Sequence, residues 1–287
     1  LLRDLMRLFP LALAFLAILP GCSPIAALNS AAPKTGYQVV SGLSYGDHAR
    51  QRLDLYIPDN ATTDSPLVLF FYGGGWRAGN REDYLFVGQA LASSGFVVAI
   101  PDYRLYPEVR FPTFLEDGAL AVGYLLDPEK SPRTASRKTV LAGHSAGAHT
   151  ALMLTLNTDY LGTLDVDVNS AISGAVGLSG PYDFAPIKGE RLQKIFAPAD
   201  PVATSQPITF ARADAPPVLL IHGLSDTTVL LRNSRNLAAR IGELGGEVTL
   251  IEYPKIGHAP MVGAFAVPLR WLAPTLEDVT AFVRQTR

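Results

Sequence analysis

The chain has 287 residues, of which 48% are hydrophobic and 17% charged, with a formal net charge of -2 at pH 7. That is enough apolar material for one sizeable core, with neither a basic stripe for nucleic-acid phosphates nor an acidic disordered tail, so no nucleic-acid partner is expected. The only cysteine, Cys22, excludes a disulfide within the chain.

The first predicted element is an export signal. Arg3 and Arg7 precede an apolar run from Leu8 to Leu19 that is short for a membrane span and has the layout of a signal peptide. Its end, "LPGCS", is similar to a bacterial lipobox, with Leu19, Gly21 and Cys22 matching and Pro20 departing. Residues 1–22 are therefore expected to be a signal peptide. Lipid attached to Cys22 would tether the protein to a membrane surface as a bacterial lipoprotein of the periplasm or outer membrane. Ordinary secretion, or a buried N-terminal helix, are the other readings. Residues 23–36 then form a flexible tether and residues 37–287 the folded domain.

"YQVVSGLSYG" and "RLDLYIP" alternate like two strands of an opening hairpin. "PLVLFFYGGG" and "GFVVAIPDYR" are continuous apolar runs of the kind buried on both faces of a sheet, and "EDYLFVGQALASS" between them has helical spacing. The alternation continues through "FPTFLEDGALAVGYLL" (helix), "TVLAGHS" (strand), "AGAHTALMLTLN" (helix) and "ISGAVGLSG" (strand). It resumes with "PPVLLIHG" (strand), "VLLRNSRNLAARIGEL" (helix), "EVTLIEYP" (strand) and a closing helix in "TLEDVTAFVRQ". This pattern predicts an α/β three-layer sandwich around a mostly parallel central sheet with an antiparallel start. Ligands of such sheets bind at the carboxyl ends of the strands. Residues 181–215 interrupt the rhythm and are expected to form a small lid insertion, with a short helix near "GERLQKIF".

"GHSAG", Gly143 to Gly147, fits G-x-S-x-G between a predicted strand and a predicted helix. A sharp turn there would project the Ser145 hydroxyl into the cleft, so Ser145 is the candidate nucleophile. A serine needs a base, and the base needs an orienting carboxylate. His258, just after the last predicted strand, is the candidate base, and Asp226 in "IHGLSD" the candidate carboxylate. His48, His149 and His222 are read as structural, and His144 as a residue of the pocket. Tyr72-Gly73-Gly74-Gly75-Trp76 follows a core strand, where consecutive glycines let backbone N–H groups approach an oxyanion, and the Ala146 N–H adds a donor from the elbow. Trp76, Tyr103, Tyr106, Tyr182 and Phe184 are candidate pocket walls.

Together, "YGGGW", "PDYRLYPE", "GHSAG", "HGLSD" and the "GH" of His258 resemble the α/β-hydrolase esterases and lipases that carry HGGGW or HGGGF before the elbow. The resemblance implies an α/β-hydrolase fold and a triad of Ser145, Asp226 and His258. It also implies oxyanion donors at Gly74, Gly75 and Ala146, and hydrolysis of a small-molecule carboxylic ester without a metal or organic cofactor. A modest lid suggests short to medium acyl chains. Tyr72 stands where that group carries histidine, so it is expected to brace the glycine loop differently and to shape the pocket. The GGW variant also resembles kynurenine formamidases, which makes an arylformamidase the alternative. A non-catalytic binding lipoprotein would require a damaged triad.

Overall fold

In the computed structural model, residues 24–135 and 137–286 are described. The expected signal peptide, residues 1–22, and its Cys22 lie outside them. Eight strands form one sheet in the order β1-β2-β4-β3-β5-β6-β7-β8. They are β1 (Tyr37–Ser44), β2 (Arg52–Pro58), β3 (Leu67–Phe71), β4 (Val97–Pro101), β5 (Thr139–His144), β6 (Ile172–Leu178), β7 (Val218–Gly223) and β8 (Val248–Tyr253). β2 pairs antiparallel with both β1 and β4, and every later pairing is parallel. This is the antiparallel start and parallel body that the segment pattern predicts.

Alternation along each strand divides the core into two layers. Val68, Phe70, Val98, Ile100, Val140 and Val176 point to one face, where they meet Val87 and Leu91 of α2 (Leu85–Ala92) and Val279 and Val283 of α10 (Thr275–Gln285). Leu67, Leu69, Phe71, Val97, Leu141 and Leu220 point to the other. There they meet Val122 and Leu125 of α3 (Thr113–Leu126), Leu152 of α4 (Ala146–Leu156), and Leu237 and Ile241 of α8 (Arg232–Glu243). Strands covered on both sides have no solvent face to keep polar, which explains their unbroken apolar runs.

The tether expectation is corrected. Pro24–Ser30 form α1, which is docked on the domain: the Asn29 side chain donates to Glu82 O (2.8 Å) and accepts from Phe86 N–H (3.1 Å). Leu28 of the helix and the buried Ala32 just beyond it pack on the core, so the segment has apolar side chains to bury. The helix expected in "EDYLFVGQALASS" begins as a 3-10 turn at Arg81–Tyr84 before α2. Short helices α5 (Asp159–Gly162) and α6 (Val168–Ala171) fill the connection before β6.

The 181–215 segment carries α7 (Glu190–Ile195), at the position expected, and two 3-10 turns, Val202–Ser205 and Pro207–Phe210. Side-chain amides fasten it down. Asn233 Oδ1 accepts from the Tyr182 and Asp183 amides, and Gln206 Oε1 from those of Phe184 and Ala185.

Candidate active site

β5 ends at His144 and α4 begins at Ala146, so Ser145 makes the whole turn with φ 55° and ψ −120°. A non-glycine residue with that backbone is strained, and the strain persists only where the surroundings hold it. Here the Ser145 N–H donates to Leu178 O (2.9 Å) and its carbonyl accepts from the His149 N–H (3.1 Å). A Cβ on Gly147 would lie 2.0 Å from Phe71 O, so that position tolerates no side chain. α4 is buried along its whole length while Ser145 remains partly exposed.

Two other strand ends bring the partners in. Asp226 follows β7 in a tight turn, its Oδ1 accepting from the Thr228 and Val229 amides at 2.9 Å each. His258 is the first residue of α9 (His258–Gly263), a helix not foreseen, after the end of β8. His258 Nδ1 lies 2.7 Å from Asp226 Oδ2, and His258 Nε2 lies 2.8 Å from Ser145 Oγ. Nδ1 must therefore donate to the carboxylate, which leaves Nε2 free to accept the serine proton. Burial works against the Asp226 charge. The hydrogen bonds from His258 and the Val229 and Thr228 amides outweigh it and hold the carboxyl down at about 2. The carboxylate thus stays ionised opposite the imidazole, where it stabilises an imidazolium.

The glycine loop passes against this group: a Cβ on Gly73 would lie 3.1 Å from the Ser145 Cβ. Gly74 and Gly75 have φ of +133° and +60°, and a Cβ on Gly74 would lie 1.9 Å from Ala78 O. Among the described residues, the amides of Gly74, Gly75 and Ala146 have no intramolecular acceptor. Gly74 is exposed and Gly75 partly so, leaving donors open to a ligand beside the nucleophile.

Residues 53–241, about two-thirds of the chain, match the BD-FAE family. The chain belongs to that family. Isoprenylcysteine alpha-carbonyl methylesterase of Arabidopsis thaliana is 27% identical over 246 residues, covering 78% of this chain and 57% of the relative. Kynurenine formamidase of Danio rerio is 31% identical over 150 residues, covering 52% of this chain and 48% of the relative. The chain spans about half the length of the curated relatives it matches. Among solved structures, a truncated carbohydrate esterase from gut microbiota superposes with a TM-score of 0.76 at 22% identity, over 89% of this chain and 98% of that one. The fold is that of the α/β-hydrolases.

In this BD-FAE chain the expected pocket residues are placed differently. Tyr72 is fully buried and does not line a pocket. Its hydroxyl donates to Asp102 Oδ1 (2.8 Å) and accepts from Arg50 Nη2 (2.8 Å), and its ring stacks between Tyr84 and Tyr103. Arg50 also donates to Gly79 O, Tyr103 donates to Tyr72 O, and Arg81 Nη1 donates to Asp102 Oδ2 (2.6 Å). Tyr72 therefore braces the glycine loop through its phenol and its ring faces together. Trp76 and Tyr182 are also buried rather than wall residues. Trp76 stacks on Phe184 and meets Phe196 and His149 edge-on, forming an aromatic floor to which residues 181–215 contribute Phe184 and Phe196.

His144 is buried, donates from Nε2 to His258 O (3.1 Å), and lies with its ring centroid 4.7 Å from that of His258. Burial, with the neighbouring His258, pushes it down to about 3, so it is neutral and supports the base instead of lining the cleft. The Arg50–Tyr72–Asp102 brace was missed from the sequence. Asp102 belongs to the quoted "PDYR", but nothing local marks Arg50, which reaches the loop from the β1–β2 connection.

Proposed function

We propose that this protein hydrolyses carboxylic esters of short to medium acyl chain through an acyl-enzyme on Ser145. The observation that carries the reading is the unbroken chain Asp226–His258–Ser145 at 2.7 and 2.8 Å beside unpartnered glycine-loop amides. His258 Nε2 takes the hydroxyl proton as Ser145 Oγ attacks the ester carbonyl. The amides of Gly74, Gly75 and Ala146 hold the oxyanion that forms. His258 then gives its proton to the leaving alcohol, and activates a water that releases the acid from Ser145. Asp226 holds the tautomer and the charge of the imidazole throughout.

The test is hydrolysis of a p-nitrophenyl acyl series from acetate to palmitate by the wild type and by Ser145→Ala, with N-formylkynurenine in parallel. Ester turnover that peaks at short or medium chains and vanishes in Ser145→Ala is the expected result. Turnover of the formamide alone would replace the reading with an arylformamidase, which the kynurenine formamidase similarity also supports. No turnover of either would favour a binding protein.

We further propose export and lipid attachment at Cys22, supported by the basic and apolar run before "LPGC". Radiolabelled palmitate should appear in the protein expressed in a bacterial host and be absent from Cys22→Ala. Label in neither would reject lipidation.

A further inference from the structure

A second histidine faces the carboxylate of the triad. His222, at the end of β7, is fully buried. Its Nδ1 lies 2.7 Å from Ser234 Oγ on α8, and its Nε2 lies 2.9 Å from Val229 O. A carbonyl oxygen only accepts, so Nε2 carries the proton and the bare Nδ1 accepts from the serine hydroxyl. The same Nε2 is 3.5 Å from Asp226 Oδ2, the oxygen that receives the His258 proton donor. Val229, whose carbonyl His222 holds, is also the residue whose amide donates to Asp226 Oδ1. A continuous path therefore runs from Ser234 through His222 and Val229 to the carboxylate. The other titratable groups facing His222 are Glu252, its register partner on β8, which is paired with Arg235, and His258 across the carboxylate.

We propose that His222 is a positioning residue for the reaction. Held in the Nε2–H tautomer by the Val229 carbonyl, with its bare Nδ1 anchored by the Ser234 hydroxyl, it clamps that carbonyl and so fixes the turn that aims Asp226 at His258. The inference rests on the ester-hydrolase reading for its kinetic consequence, but its structural content is the strength of the Asp226–His258 hydrogen bond, which can be read without any substrate.

The test compares three variants of the full chain. In His222→Gln a side-chain amide donor can still reach Val229 O. In His222→Asn the amide sits near the former Nδ1, keeping a partner for Ser234 but losing that donor. Ser234→Ala removes the donor that anchors Nδ1, so the ring is free to tilt away from Val229 O, and serves where His222→Asn fails to fold. The primary readout is the downfield proton resonance of His258 Nδ1–H. It should be kept in His222→Gln, and weakened or moved upfield in His222→Asn and Ser234→Ala. With p-nitrophenyl acetate, His222→Asn should lose about 10- to 100-fold in kcat with KM within about twofold, the size of effect that displacement of an aligned group produces.

Because imidazolium at His258 would be less well supported, the acid limb of kcat/KM should move to lower pH. His144 and Ser145, which also touch His258, are unchanged in every variant. An unaltered resonance and pH limb in folded His222→Asn and Ser234→Ala would overturn the proposal. Absence of ester turnover in the wild type would instead reject the functional reading, leaving the resonance to decide the role of His222.

Discussion

Asp226 and Tyr72 show how far single side chains determine the chemistry. Asp226 is acceptor-only and holds the proton on His258 Nδ1; an amide in its place offers a donor and favours the opposite tautomer. Asp226→Asn should therefore lower kcat by about 10⁴-fold with little change in fold, as steady-state kinetics beside circular dichroism would reveal. Tyr72→Phe keeps the stacking on Tyr84 and Tyr103 but removes the hydroxyl between Arg50 and Asp102. Arg50 retains two carbonyl acceptors and Asp102 retains Arg81, so neither charge is stranded. The expected cost is about 1–3 kcal/mol in urea unfolding, with a smaller fall in kcat/KM than Asp226→Asn gives. Unchanged stability would mean that the ring alone braces the loop. Ser145, Asp226 and His258 were legible from the sequence because each sits at a strand end where local pattern fixes its place. Tyr72's partners were not, because Arg50 and Asp102 are far apart in the chain and meet it only through the sheet order β2-β4-β3.

At the scale of elements, the strand-turn-helix at Ser145 is built on backbone contact. β3 and β5 are paired neighbours, and α4 crosses so closely over the end of β3 that Gly147 meets the Phe71 carbonyl. Gly147→Ala must push α4 or β3 aside, and overpacking of this kind costs about 1–3 kcal/mol. The displacement also moves Ser145 and the Ala146 amide, so kcat should fall more steeply than stability. Thermal melting together with active-site titration by a fluorophosphonate would separate the two losses. A well-folded Gly147→Ala with full activity would show that α4 shifts without moving the nucleophile. The strands and long helices were readable because burial on both faces imposes unbroken apolar runs on one and helical spacing on the other. α1 escaped notice because "SPIAALNS" is short and carries no strong stripe; its docking rests on Asn29, bonded to Glu82 and Phe86, and on Leu28 against the core. α9 escaped because Gly257-His258-Ala259-Pro260 reads as a turn, and its helix is supported by burial of Met261, Val262 and Gly263.

Across the whole molecule, the buried histidines link stability to pH. Burial lowers His149 to about 4 and, with His258 nearby, His144 to about 3, while His222 is also pushed down by burial. An unfolded chain would protonate all of them near their ordinary value of 6.5. Between about pH 6.5 and 4 the unfolded state therefore binds more protons than the folded one, so the histidine contribution is complete above pH 6.5 and is lost as pH falls. The depressed carboxyl of Asp226 acts in the same direction at lower pH. Its contribution is present above the ordinary carboxylate value of 3.8 and disappears as pH falls towards about 2. Urea unfolding at pH 7.5, 6, 5 and 4 should accordingly show a steady decline in stability rather than a plateau. His149 offers the cleanest separation, because it lies in the aromatic floor and, among the described residues, makes its ring hydrogen bond only to Ser205 O. His149→Phe should reduce the slope by up to about 1.4 kcal/mol per pH unit between pH 6 and 4.5, the value of one proton. A slope identical to wild type would mean that His149 gains its proton in the folded protein as readily as in the unfolded chain, and that the aromatic floor opens to water in that range.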